Sequence, residues 1–178
     1  MTWKSVKDYL MTLDNKQLVA IIGENYKLSK TVKYNLELKL LANSANKSAM
    51  EDALFKEYAQ TIYEGFFPKR GTTIRLSKSR KALQDFIKLK PSDRKLLDIK
   101  LAYLKAGTEF VDEYGDMSDS YFVSALKLYR EVMELATRQS LLADYYNEFK
   151  KIDDIAMDRY GYGYGDEMHA IFQEFYPK

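Results

Sequence analysis

Eight cations fall between positions 69 and 90: Lys69, Arg70, Arg75, Lys78, Arg80, Lys81, Lys88 and Lys90, with Asp85 the single acid among them. Arg binds a phosphate through paired hydrogen bonds and Lys as a point charge, so a segment this basic is a candidate anion site. Leu83, Phe86 and Ile87 recur at helical spacing behind Ser77, which predicts a helix capped by Ser77 with Lys78, Arg80 and Lys81 near its start. Cations at a helix N-terminus oppose the helix dipole and cost roughly 0.3–1 kcal/mol each unless an anion answers them. Free backbone N–H groups at the same end would add to an anion site. Two answers fit. A phosphate, from a nucleotide or a nucleic-acid backbone, would be held by Arg80 and Lys81, with Lys69, Arg70, Arg75 and Lys78 around it. Alternatively, carboxylates of the acidic C-terminal half, with Asp112, Glu113, Asp116 and Asp119 as candidates, would dock there, and this is the favoured reading. Gly71 stands alone, so no glycine-rich phosphate loop supports the first.

His169 is the only histidine and follows Asp166 by three residues, which puts both on one helix face. With Asp153 or Asp158 across the preceding glycine turn, these are weak candidates for a metal site, and Asp166 is already expected as an N-cap. No nucleophile–base pair reads out. Ser48, Ser77 and Ser140 are better placed as caps, and the adjacent Asp153 and Asp154 point different ways on a helix. The chain has no cysteine, which excludes disulfides, thiolate zinc sites, iron–sulfur ligation and cysteine nucleophiles. No cofactor is expected, and no catalytic residue is assigned.

Tyr162 and Tyr164 alternate with Gly161, Gly163 and Gly165. The spacing is not a dinucleotide fingerprint. The two rings are candidates for lining a pocket or stacking on bases. The plainer reading is a tight connection whose glycines take positive φ. Near the start, a helix pair joined at Lys27-Leu28-Ser29 imitates a helix-turn-helix, with Lys30, Lys33, Tyr34, Asn35 and Lys39 facing a groove.

The elements that must position these residues are helices. Three prolines, eight glycines and no alternating strand pattern predict an all-α, compact single domain over 1–178, a bundle of about nine helices with short connections. Asp14 with Gln17, and Ser48 with Glu51, read as capping boxes. Leu18, Ile21, Ile22 and Tyr26 form the apolar stripe of the second helix, and Val32, Leu36, Leu40 and Leu41 that of the third. Pro68 ends the fourth and Pro91-Ser92-Asp93 starts the sixth, which stops near Gly115. Ser118 or Asp119 caps the seventh, Ser140 the eighth and Asp166 the ninth.

The net charge of +2 hides a division, since residues 1–105 carry 21 Lys/Arg against 11 Asp/Glu and residues 106–178 carry 7 against 15. The halves of a compact domain would neutralise each other. No apolar leader or membrane-length run is present, so no membrane association and a soluble, cytoplasmic protein are expected.

Phe66-Phe67-Pro68-Lys69-Arg70, Ser77-Lys78-Ser79-Arg80-Lys81-Ala82 with Asp85-Phe86, Tyr114-Gly115-Asp116 and the Gly161–Asp166 tail occur in an order that resembles an uncharacterised bacterial domain-of-unknown-function family of small helical proteins. The family's tail has Trp and Phe, with a His before the Asp. Here Tyr162 and Tyr164 replace the aromatics and Gly165 stands in the place of the His. The resemblance implies an all-α fold and supplies no activity. The function expected is therefore a non-enzymatic helical interaction module that binds a macromolecular partner or itself. The alternatives are a nucleic-acid or phosphate-ligand binder using residues 69–90, and a metal-dependent enzyme near Asp166 and His169.

Overall fold

Asp14 accepts a hydrogen bond from the Gln17 backbone at 2.8 Å while Gln17 Oε1 accepts from the Asp14 backbone at 3.0 Å. This reciprocal cap starts α2 (Asn15–Leu28), as the sequence predicts. Before it lies α1 (Trp3–Leu10), capped by Thr2, and after it α3 (Lys30–Leu40), where Ser29 Oγ accepts from Val32 N at 3.3 Å. The computed structural model describes residues 1–40, 46–69, 73–115 and 117–177, so Arg70, Asp116, Leu41 and Gly71 lie outside the described residues. The described chain is all α, with nine α-helices, a 3-10 turn and no strand. Its contacts gather into two compact units, Met1–Ser48 and Ala49–Lys178.

In the first unit α2 packs on α3, Tyr26 donates to Glu37 at 2.5 Å, and the Lys33 ammonium lies 5.7 Å from the Tyr26 ring centre. Leu38 is the buried side chain of α3, and neither α1 nor α2 buries any.

The second unit holds the core. It contains most of α4 (Asn46–Phe66), then α5 (Leu76–Lys88), α6 (Asp93–Tyr114), α7 (Asp119–Arg138), the 3-10 turn Ala143–Tyr145, α8 (Tyr146–Arg159) and α9 (Tyr164–Phe175). Leu97, Leu101, Leu104 and Val111 line the buried stripe of α6, at the i, i+4, i+7 spacing of one helix face. α6 packs against α5, α7 and α8, and α9 closes onto α7 and α8. Phe66, Phe86, Phe122 and Phe149 are each at most 1% exposed, and each such side chain contributes about 1.5–3 kcal/mol by leaving water. Gly107 is obligatory in α6, since a Cβ there would stand 1.8 Å from the Tyr121 hydroxyl.

Several helix starts differ from the sequence reading, each for a local reason. Glu51 lies inside α4 and is 6% exposed; instead of closing a box with Ser48, it accepts from Ser92 N at 3.1 Å and Ser92 Oγ at 2.7 Å, and so caps α6 from 41 residues away. Arg75, not Ser77, is the N-cap of α5. Ser140 sits at φ 56° and does not start α8, which follows the 3-10 turn. Gly163, at φ 83°, is the N-cap of α9, so Asp166 lies within its first turn.

Candidate functional site

The first candidate is apolar. Among the described residues, nine of the fifteen exposed large apolar side chains lie in residues 1–48, including Trp3 (72% exposed), Met11, Val19, Ile22 and Leu28. Ile21 and Ile22, expected as a buried stripe, are open to solvent. Val19 and Ile22 are three residues apart and share one face of α2. Single exposed apolar residues need no explanation, but a concentration of this kind makes residues 1–48 a candidate interaction surface. Of the candidate groove-facing residues on α3, Lys30 and Lys39 are exposed, whereas Lys33, Tyr34 and Asn35 are half-buried.

The second candidate is basic. In α5 the apolar stripe of Ala82, Leu83 and Phe86 turns inward, Ser79 donates to the Ile62 carbonyl at 2.7 Å, and Arg75, Arg80 and Lys81 are left outside. Lys78 reaches back to Glu64 on α4 at 2.8 Å. That bond, with a second from Gln60, holds the Glu64 carboxyl below its usual range. Lys69 and Arg75 lie beside this pair in a shallow recess with Pro68. Lys88 pairs with Asp85 at 3.0 Å. Arg75, Arg80 and Lys81 form no ion pair among the described residues. Among the described residues, Asp112, Glu113 and Asp119 do not pair with the cations of this segment, and Asp116 lies outside them. Asp112 pairs with Arg159 at 2.9 Å, Glu109 with Lys151 at 3.8 Å, Glu174 with Arg130 at 2.8 Å, Glu131 with Lys100 and Asp154 with Lys150. Glu113 is bonded to Tyr114, whose phenol its carboxylate pushes up, and Asp119 opens α7 near Tyr164. Asp112, Glu109, Glu174, Glu131 and Asp154 thus meet cations on their own or adjacent helices rather than on α5.

The third candidate surrounds His169. Its Nδ1 lies 3.0 and 3.1 Å from the two oxygens of Asp153. Asp153 is 1% exposed on the inner face of α8, while His169 on α9 is a third open to water. Gln173, one turn further on, places its amide nitrogen 2.6 Å from His169 Nε2. Asp166 is exposed in the first turn of α9 and does not join them. Among the described residues no group of three or more His, Cys, Asp or Glu side chains could hold a metal. The helices α8 and α9 approach closely because Gly165 has no side chain: a Cβ there would meet the Ala156 carbonyl oxygen at 2.5 Å. Tyr162 is 92% exposed at φ 56°, and Tyr164 stacks on Phe122 at 5.0 Å, so the two rings face different surroundings.

The chain belongs to the family of unknown function DUF6155. The family's model matches residues 1–176, which spans both units. No curated protein matches the chain, and no solved structure does. Membership accords with the all-α fold and names no activity. No helix among the described residues is long and apolar enough to cross a membrane.

Of the sequence-derived site residues, the structure brings Lys69, Arg75 and Lys78 together around Glu64 and leaves Arg80 and Lys81 on the same helix. Of the acids expected near His169, it brings Asp153 to the imidazole and leaves Asp166 apart. The exposure of the apolar side chains of residues 1–28 has no signature in the sequence, because periodicity marks an apolar stripe without saying what covers it.

Proposed function

We propose that this family member is a non-enzymatic helical interaction module, and that the exposed apolar side chains of residues 1–28 dock an acidic, amphipathic helix of a partner protein. The observation that carries the reading is that residues 1–28 bury no side chain while exposing Trp3, Met11, Val19, Ile22 and Leu28. Forty-eight residues with so little internal core do not supply their own stability. The charge of the surrounding surface selects the occupant. Residues 1–48 carry eight Lys and four acids, a net of +4, which repels a second copy of the same surface and favours an acidic rim on the partner. Seven of the fourteen described acids in 106–178 are already in ion pairs within the second unit. The family match across both units supports treating 1–178 as one domain.

The test uses two labelled helical peptides, one built of Leu and Glu and one of Leu and Lys with the same apolar stripe, titrated with the full chain. The acidic peptide binds and the basic one does not, and Val19→Asp with Ile22→Asp weakens binding at least about tenfold, since two apolar side chains each lose about 1.5 kcal/mol or more. Equal or absent binding of the two peptides overturns the reading. Light scattering that shows a dimer broken by the same double substitution also overturns it and assigns the surface to a second copy.

A second reading rests on α5. Arg75, Arg80 and Lys81 remain without ion pairs near a helix N-terminus whose first turn contains no acid, which supports binding of a nucleic-acid phosphate. Fluorescence anisotropy of labelled RNA and DNA at two salt concentrations tests it. Binding that falls steeply with salt and is lost in Arg80→Glu with Lys81→Glu supports the reading. No binding at low salt ends it.

A further inference from the structure

The surface beside His169 is a cavity of about 580 Å³ walled by Tyr146, Phe172 and Tyr176, with Lys150, His169 and Gln173 along its polar side. The three rings form a connected wall: Tyr146 meets Tyr176 edge-on at 5.1 Å, and Phe172 lies 4.9 Å from Tyr176 and 6.0 Å from Tyr146. Tyr176 is fixed from behind by its hydroxyl, which donates to the Leu142 carbonyl at 2.5 Å. The polar side consists largely of donors. Lys150 reaches within 5.9 Å of the Phe172 ring centre and bonds to the exposed Asp154. Gln173 turns its amide nitrogen to His169.

The buried Asp153 decides which nitrogen of His169 is available. Both carboxylate oxygens accept from Nδ1, so Nδ1 carries its hydrogen and Nε2 is the nitrogen turned toward Gln173 and the cavity. A carboxylate that is 1% exposed has no water to stabilise it, so it holds the imidazole in one orientation. Donors along one edge and a ring wall along the other describe a flat apolar body carrying one negative group.

From this geometry we propose that the cleft between α8 and α9 binds a small aromatic acid, its ring against Tyr146, Phe172 and Tyr176 and its carboxylate or phosphate held by Lys150 and the Gln173 amide, whose other hydrogen is given to His169 Nε2. Asp153 is a positioning residue, acting through His169. The anion displaces Asp154 from Lys150, which costs little because Asp154 is 61% exposed. This site is separate from the exposed apolar side chains of residues 1–28 and from α5, and stands or falls without them.

The single histidine makes the test direct. The imidazole ¹⁵N resonances of the full-length protein contain one signal pair, which is followed during titration with 2-naphthoate, phenyl phosphate, the neutral 2-naphthamide and the cationic 2-naphthylmethylamine. The expected result is a saturable shift of His169 Nε2 with naphthoate or phenyl phosphate and none with the amide or the amine. Whichever acid binds tighter identifies the anionic group. Lys150→Met weakens the binding roughly 10- to 100-fold, as loss of a charge-assisted bond does, and Tyr176→Leu weakens it through the ring wall. An unmoved His169 signal with both acids overturns the proposal, and so does equal binding of the neutral amide. The wild-type series decides the matter even where a variant loses stability.

Discussion

Replacing His169 by Ala tests whether the Asp153–His169 pair holds α8 to α9. The carboxylate is 1% exposed and accepts from His169 through both oxygens, with Lys150 next nearest at 4.0 Å. Removing one partner of a buried pair costs about 3–5 kcal/mol, because the other charge remains without water or a donor. His169 is a third open to solvent and Lys150 can move closer, which places the expected loss at the lower end, about 3 kcal/mol. Asp153→Asn keeps an oxygen facing Nδ1 and should cost only about 1 kcal/mol. The double variant Asp153→Ala with His169→Ala removes the unpaired charge together with its partner. Its cost should therefore fall short of the sum of the two Ala singles by about 2 kcal/mol. Urea unfolding followed by near-ultraviolet circular dichroism of the tyrosines reads mainly the second unit, which holds twelve of the fifteen. A loss below about 1 kcal/mol for His169→Ala, or strict additivity in the cycle, would refute the reasoning that the pair is energetically coupled.

Glu51→Ala removes both acceptors from Ser92 and should cost about 2–3 kcal/mol, whereas Ser92→Ala loses one bond and about 1 kcal/mol; urea midpoints separate the two. Gly107→Ala drives a methyl into the Tyr121 ring and should cost about 3 kcal/mol, and adding Tyr121→Phe should recover part of it, because the hydroxyl is the nearest atom. Gly165→Ala should lower stability by about 1–2 kcal/mol despite the better helix propensity of Ala, since the clash is with the Ala156 backbone; the same unfolding assay reads it. Burial raises the phenol pKa of Tyr121, Tyr129 and Tyr160, so their neutral forms belong to the folded state. The stability they contribute is complete below the ordinary tyrosine pKa of about 10 and is lost as pH rises above it. Absorbance at 295 nm should therefore show a class of tyrosines that ionises only as the protein unfolds. A single titration step for all of them, complete before any change in circular dichroism, would contradict the burial.

Helix type and order were legible because α6 and α7 bury regular stripes, Leu97–Leu101–Leu104 and Phe122–Ala125–Tyr129–Val132 in turn, and such spacing has one solution. Caps made by neighbours in sequence were legible too, as at Asp14 and Gln17. The cap of α6 was not, because Glu51 reaches Ser92 across 41 residues and nothing local distinguishes it from a second member of a box with Ser48. Asp166 was misplaced for a related reason. The positive φ of Gly163 lets the helix begin two residues before the aspartate, and an N-cap preference cannot compete with a glycine already in the required conformation.

The candidate sites follow the same division between local and distant information. The cations of α5 stand out by composition, yet composition alone pointed them to the acidic half. That inference treats net charge as something two halves exchange, whereas ion pairs form between side chains that helices bring within about 4 Å. In this fold Asp154 meets Lys150 one turn away, and Asp112 and Glu174 meet Arg159 and Arg130 on facing helices. These carboxylates are thereby used close to home, and Arg75, Arg80 and Lys81 are left facing solvent. Asp153 shows the converse. Its neighbour Asp154 has the same chemistry, but one position along α8 turns Asp153 inward to His169 and Asp154 outward to water. The pair of carboxylates therefore holds one structural and one exposed role, and only the register of α8 against α9, set by the missing side chain of Gly165, determines which is which.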